Sequence, residues 1–248
     1  MSLPWQHSDR RYNAAFYAER DASTKLAAQT VLAPMFQSLD IKSVCDVGCG
    51  VGTWLATALE LGAERVRGFE GPWVKGNALA INASCIVTQD LECDVMDRER
   101  YDLVISLEVA EHLSADRAPS FVRDLTALGD AVLFSAAIPN QGGTNHINER
   151  WQSYWAELFK AQEYDAFDAV RPAIWQMSEI KWWYRQNTLV YARCGSSAAE
   201  RLADSRLRDY TMMDLVHPDL FTKRTSLGTV KAIGLALSAI FRGQHQSS

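Results

Sequence analysis

The feature that most constrains this chain is a short apolar run, Ile41–Val47, that enters three closely spaced glycines, Gly48, Gly50 and Gly52. Directly after them, Trp54–Leu61 carries apolar residues suited to a helix, with Gly62 as its stop. Strand, glycine turn and helix together open a βαβ unit, which commits the chain to parallel strands joined by right-handed crossovers. The following segments repeat the alternation. Arg65–Phe69, Cys85–Val87, Leu103–Ser106 and Ala131–Phe134 read as strands two to five, and Ala22–Gln37 as a helix ahead of the first.

The character changes after Pro139. Gln141-Gly142-Gly143-Thr144 is turn chemistry, and Trp151, Tyr154, Trp155, Leu158 and Phe159 then form the apolar stripe of a helix. Tyr164–Val170 and Thr188–Ala192 read as two β-like runs. With Trp182-Trp183-Tyr184 between them, they form a hairpin-type addition to the sheet. The expected fold is α/β: a Rossmann-like, seven-stranded, mostly parallel sheet flanked by helices, its last strand antiparallel. Residues 1–194 would form this domain, with 1–37 as a helical cap and 195–248 as a helical extension. The extension ends in Leu227, Val230, Ile233, Leu237 and Phe241, which read as either a packed helix or a weak membrane-surface helix.

Charge and cysteine usage narrow the partners. A formal net charge of -5 does not attract phosphate backbones, so no nucleic-acid partner is expected. The five cysteines, Cys45, Cys49, Cys85, Cys93 and Cys194, make no CxxC pair, and no His/Cys cluster has zinc-ligand spacing. They read as buried reduced thiols of a cytoplasmic protein, and no metal is expected. The N-terminus lacks the apolar core of a secretory signal. The longest uncharged apolar stretch, Ala232–Phe241, is far shorter than the ~20 residues of a membrane span.

The chemistry-bearing residues cluster at strand ends, where open α/β sheets bind ligands. Asp46 precedes the glycines in a GxGxG turn. A nicotinamide-type turn usually has an apolar residue there and leaves its helix N-terminus to a pyrophosphate. An acid suits a ligand with a cationic amino-acid end, such as S-adenosylmethionine with its ammonium and sulfonium. Glu70 ends the second strand, at about the spacing at which a carboxylate meets ribose hydroxyls. Asp90 and Leu91 follow the third strand, placed for an adenine amino group and its apolar face. Leu107-Glu108-Val109-Ala110-Glu111-His112 follows the fourth.

In combination these residues resemble the class I S-adenosylmethionine-dependent methyltransferases over Ile41–Leu113. The resemblance implies that Asp46, Gly48, Gly50 and Gly52 wrap the methionine portion of the donor, and that Glu70 binds ribose. It also implies that Asp90 contacts adenine and that Ser106–His112 is the motif after strand four. A narrower resemblance extends to about Ala192. The phrases FEGPWV, SLEVAEHL, FSAAIPNQGGTNHINERW and WWYRQN look like a bacterial subgroup associated with surface-polysaccharide and sugar modification. Glu70 departs from the aspartate of many relatives but keeps the carboxylate.

The resemblance implies methyl transfer from S-adenosylmethionine to a nucleotide-sugar or glycan hydroxyl. Another small metabolite, an amine acceptor or a non-catalytic donor-binding subunit remain as alternatives. A hydroxyl acceptor benefits from a general base. His146, in the loop after strand five, is the candidate base; alternatively it fastens that loop. His112 and Glu111 are further catalytic candidates with an alternative structural or donor-contacting role, and Glu108 reads as pocket lining near the sulfonium. Asn148, Tyr184 and Arg185 are candidate acceptor contacts, with Trp183 beside them, and Tyr12, Phe16 and Tyr17 a candidate lid.

Overall fold

A computed structural model of the 248-residue protein describes residues 14–74 and 79–226, with side chains from Ser23 onward, Thr211 apart. Of the candidate lid, Tyr12 and the side chains of Phe16 and Tyr17 lie outside these descriptions, as does the terminal stretch beginning at Leu227. The chain divides into two compact units, Met1–Leu215 and Val216–Ser248. In the second, residues 218–226 are helical.

In the first unit, α1 (Ala14–Ser38) precedes β1 (Ser43–Val47), α2 (Thr53–Glu60), β2 (Arg65–Glu70) and β3 (Ile86–Thr88). Next come β4 (Leu103–Leu107), α3 (Ala118–Leu128), β5 (Ala131–Ser135), α4 (Gln152–Lys160) and β6 (Tyr164–Phe167). The unit continues with α5 (Arg171–Ile174), α6 (Trp182–Asn187), β7 (Leu189–Arg193) and α7 (Ser197–Arg201). The seven strands lie in the order β3-β2-β1-β4-β5-β7-β6, with β7 antiparallel to both neighbours and β1 to β5 parallel. The expected sheet is therefore the observed one. The hairpin expectation changes in one respect: Trp182-Trp183-Tyr184 forms α6, because Ile180 and the backbone bonds from Tyr184 and Arg185 to Lys181 start a helical turn there.

Alternation along the strands supplies both faces of the sheet. Val104, Val132, Phe134 and Tyr191 face one cluster, filled by Phe121, Val122 and Leu125 of α3 and Trp155 and Phe159 of α4. Val44, Leu103, Ile105, Leu133 and Val190 face the other, filled by Ala28, Val31, Leu32 and Met35 of α1 and Leu55 and Ala58 of α2. Both faces covered is what a parallel sheet requires. Residues beyond Cys194 join the same core: Leu207 N–H bonds Ala166 O at 2.8 Å, and Met213 is fully buried. The thiols are less uniform than expected. Cys45 and Cys49 are buried, Cys85 partly, and Cys93 and Cys194 are exposed, because these two sit in a loop and beyond a strand end.

This topology places the site. The chain leaves β1 for β2 and β3 on one side and resumes with β4 and β5 on the other, so β1 and β4 flank the switch point. Their carboxyl ends open the crevice where such sheets take ligands.

Candidate active site

At the β1 side the crevice is made of backbone. Gly48, Gly50 and Gly52 have φ of +89°, +55° and +88°, a region where side chains are strained. A Cβ at Gly48 would lie 2.3 Å from Val109 Cγ2, so the segment after β4 can close on this turn only over a glycine. The turn is stitched to β2, with Gly48 N–H bonding Phe69 O at 2.8 Å. Glu70 completes it: its Oε2 accepts from Gly50 N–H at 2.7 Å and its Oε1 from Gly71 N–H at 2.8 Å. Burial raises the Glu70 pKa, and the Gly71, Gly50 and Trp73 hydrogen bonds draw it part of the way back. Asp46, 2% exposed, is pushed well up by burial and then by the Glu70 charge. A cation between these two carboxylates would relieve both.

Past β3, Asp90 is exposed and its Oδ1 accepts the Glu92 N–H at 3.0 Å, while Leu91 is buried. A buried guanidinium fixes this loop. Arg117 donates to Leu91 O and Cys93 O, each at 2.9 Å, and to Asp124 Oδ2 at 2.5 Å, while Asp124 also accepts Val95 N–H at 2.9 Å. Nothing local in the sequence marks Arg117 for this role.

At the β4 and β5 side the crevice is made of side chains. Glu108, directly after half-buried Leu107, has φ +57°, a backbone conformation that is costly for a non-glycine and that often marks functional positions. Its N–H reaches Ser135 O at 3.0 Å, while Gln141 and Asn187 each donate to its carboxylate at 3.0 Å. Gln186 and Asn187 in turn donate to Gln141 Oε1. This amide network ties the ends of β4 and β5 to the end of α6. Sequence reading missed Gln141, Gln186 and Asn187; the one signal was two amides set one residue ahead of the apolar strand Leu189–Arg193.

One turn on, Glu111 is fully buried, and neither carboxylate oxygen has a hydrogen bond of normal geometry. Burial pushes its pKa well up, and the charges of Glu108 and Glu149 push further; the nearby backbone N–H groups of Glu111 and Ala137 offset part of this. The loop after β5 folds back over it, with Ile147 and Asn148 N–H groups bonding Glu111 O at 2.9 and 3.0 Å. His146 Nε2 lies 4.0 Å from Glu111 Oε1, while its Nδ1 bonds Glu149 Oε1 at 2.9 Å. His112 packs edge-on to His146, ring centroids 4.9 Å apart, with its Nδ1 3.3 Å from Asn145 O. A Cβ at Gly143 would lie 2.1 Å from His146 Nε2, so a larger residue there would push this ring aside.

The three candidate catalytic residues, His146, His112 and Glu111, thus meet, although 34 residues separate the two histidines along the chain. Glu149 joins them, signalled by its i+3 spacing from His146. Beside Glu149 an open cleft of about 420 Å³ is lined by Arg150, Trp151 and Tyr154 among others. Of the candidate acceptor contacts, Asn148 is buried with its Oδ1 held by Arg150 Nε at 2.9 Å and its Nδ2 without a hydrogen-bond partner. Tyr184 packs edge-on to Trp54 at the start of α2, centroids 5.7 Å apart. Arg185 is buried, donating to Trp175 O at 3.0 Å.

No family model matches the chain, and neither does any curated protein. Among solved structures it is similar to magnesium protoporphyrin IX methyltransferase from Synechocystis PCC 6803 with SAM bound. The identity is 20% and the TM-score 0.51, over 69% of this chain and 80% of that one. It is also similar to Streptomyces venezuelae DesVI, at 12% identity and a TM-score of 0.57, over 73% and 96% of the two chains. Human N-acetylserotonin methyltransferase in complex with SAM matches at 14% identity and a TM-score of 0.52, over 77% and 60%. The chain has the methyltransferase fold. At such identities the likeness lies in backbone architecture, and the site must be argued from its own residues. No described helix is long and apolar enough to cross a membrane.

Proposed function

We propose that the protein is an S-adenosylmethionine-dependent methyltransferase that methylates a hydroxyl of a saccharide. The observation that carries this reading is the pairing of two strand-end acids, Asp46 and Glu70, around a positive-φ glycine turn, together with a cluster of one buried glutamate and two half-buried histidines after β4 and β5. The residues fit the donor. Asp46 and the Gly48–Gly52 turn would hold its amino-acid end, where buried carboxylates await positive charge. Glu70 would meet the ribose hydroxyls; a carboxylate has about four lone-pair sites, so two backbone bonds and the Trp73 bond still leave it room to accept. Asp90 and Leu91 would meet adenine, with Leu107 beside the methionine chain and Glu108 near the sulfonium. The bound donor supplies a methyl group on a cationic sulfur, already a good leaving group.

The protein's remaining work is positioning and proton removal. His146 is built for the second task. Its Nδ1–Glu149 bond fixes the ring and occupies that nitrogen, so Nε2 is the nitrogen that takes a proton. The acceptor oxygen forms its bond to the methyl carbon as the carbon–sulfur bond breaks and its electron pair stays on sulfur. The hydroxyl proton passes to His146. Support for a saccharide comes from the cleft beside Glu149, where Trp151 is 38% exposed and the Arg150 guanidinium lies 5.1 Å from the Tyr154 ring centroid. Aromatic faces stack on sugars, and arginine suits the phosphates of a nucleotide-sugar.

The test is incubation with methyl-labelled S-adenosylmethionine and a panel of nucleotide-sugars, glycans and amino sugars, read by mass spectrometry. Label on a sugar oxygen is expected. Label only on nitrogen, or on no saccharide while another metabolite is methylated, would remove the acceptor assignment.

A further inference from the structure

The cluster opposite the glycine turn has more ligating groups than a lone base requires. A carboxylate oxygen of Glu111 and one ring nitrogen each of His112 and His146 lie within 4.8 Å of one another. Two atoms bound to one ion at about 2.1 Å stand up to about 4.2 Å apart, so the 4.0 Å between Glu111 Oε1 and His146 Nε2 already fits a shared ion. Glu111 is fully buried, and both its oxygens lack hydrogen-bond partners of normal geometry, a costly state that a bound cation would end. Outer contacts are in place as well. Glu149 holds Nδ1 of His146, the carboxylate–histidine arrangement that orients a metal ligand, and the Asn145 carbonyl faces Nδ1 of His112. Both histidines are half-buried, which leaves a path for an ion from solvent.

We infer that Glu111, His112 and His146 form a binding site for one divalent first-row transition ion. Two imidazole nitrogens and one carboxylate oxygen suit Mn²⁺, Co²⁺ or Zn²⁺, whereas Mg²⁺ and Ca²⁺ favour all-oxygen shells. Three protein ligands leave positions for outside oxygens, and the neighbouring carboxylates of Glu108 and Glu149 add negative charge. The ion's role rests on the methyltransferase reading; its binding does not. In the loaded protein the Nε2 lone pair of His146 goes to the ion, so the proton-accepting role of His146 belongs to the metal-free protein. The ion then lowers the pKa of an acceptor hydroxyl that reaches an open position, and the released proton goes to water. Spacing along the sequence gave no sign of the site because His146 returns from 34 residues away over Gly143.

The protein is stripped with EDTA, dialysed into metal-free buffer, and titrated with MnCl₂ by EPR and ZnCl₂ by calorimetry, with neither donor nor acceptor present. One ion per chain is expected, not displaced by equimolar MgCl₂. Binding should weaken at least about tenfold in His112→Ala and Glu111→Gln, and about 10–100-fold in Glu149→Gln. Because these variants are able to disturb the fold, CoCl₂ is also added to the unmutated protein. A visible spectrum of nitrogen and oxygen ligation supports the site, and a thiolate charge-transfer band overturns it. Absence of binding, or binding unchanged in both His112→Ala and Glu111→Gln, overturns it too. A separate titration with S-adenosylhomocysteine tests the donor reading, so the two fail independently.

Discussion

The two sides of the crevice are built by opposite means. The β1–β2 side is backbone: three glycines in positive φ, with one glutamate accepting two of the local N–H groups. The β4–β5 side is side chain: Glu108, Glu111, His112, Gln141, His146, Glu149 and Asn187, brought together from three segments. A backbone cradle suits a constant ligand, because it constrains the sequence at few positions and holds them tightly. A side-chain cluster can change its acceptor by changing residues while the fold stays. On the proposed assignment, the glycine-turn side should therefore fail through donor binding, and the Glu–His side through chemistry.

Substitution at the acceptor side should produce the largest effect. His146→Ala is expected to lower turnover by about 10²–10⁴-fold while S-adenosylhomocysteine affinity stays within about threefold, measured by label transfer and calorimetry. A parallel loss of donor affinity would erase the distinction between the two sides. Next comes the support of the donor side. Arg117→Ala leaves the buried Asp124 carboxylate without its cationic partner and two carbonyls without the guanidinium donor, and should cost about 3–5 kcal/mol in urea unfolding. A cost below about 1 kcal/mol would mean that this loop does not depend on the guanidinium.

The smallest effect sharpens the electrostatic contrast. Glu111 has its folded pKa above its unfolded value, so the folded state binds the extra proton. Its contribution is favourable at low pH and is lost as pH rises from the ordinary carboxylate range toward the folded pKa. In EDTA, Glu111→Gln should raise the melting temperature by a few degrees at pH 8 and hardly at all at pH 4. A decrease at pH 8 would show that the ionised carboxylate is stabilised by contacts beyond those described.

The same contrast explains what the sequence disclosed. Asp46, the glycines and Glu70 lie within one βαβ unit, so a local pattern reports them, and the strand–helix alternation reports the mostly parallel sheet with them. The acceptor side is only half legible. Glu111 and His112 follow a strand end and His146 follows another, but their meeting depends on Gly143 passing over the His146 ring. Gln141 sits in what reads as a plain turn, and Gln186 and Asn187 close a helix whose aromatic start reads as part of a hairpin. Amide networks have no period and no fixed spacing, so only the folded chain displays them.

The most direct test of the donor assignment is calorimetric titration of S-adenosylhomocysteine into the unmutated protein and into Asp46→Asn and Glu70→Gln. Expected is one molecule bound per chain, at least tenfold weaker in each variant, a loss of about 1.4 kcal/mol or more, and no heat from NAD. Preference for NAD, or an affinity that neither substitution changes, would contradict a donor site between the two strand-edge acids.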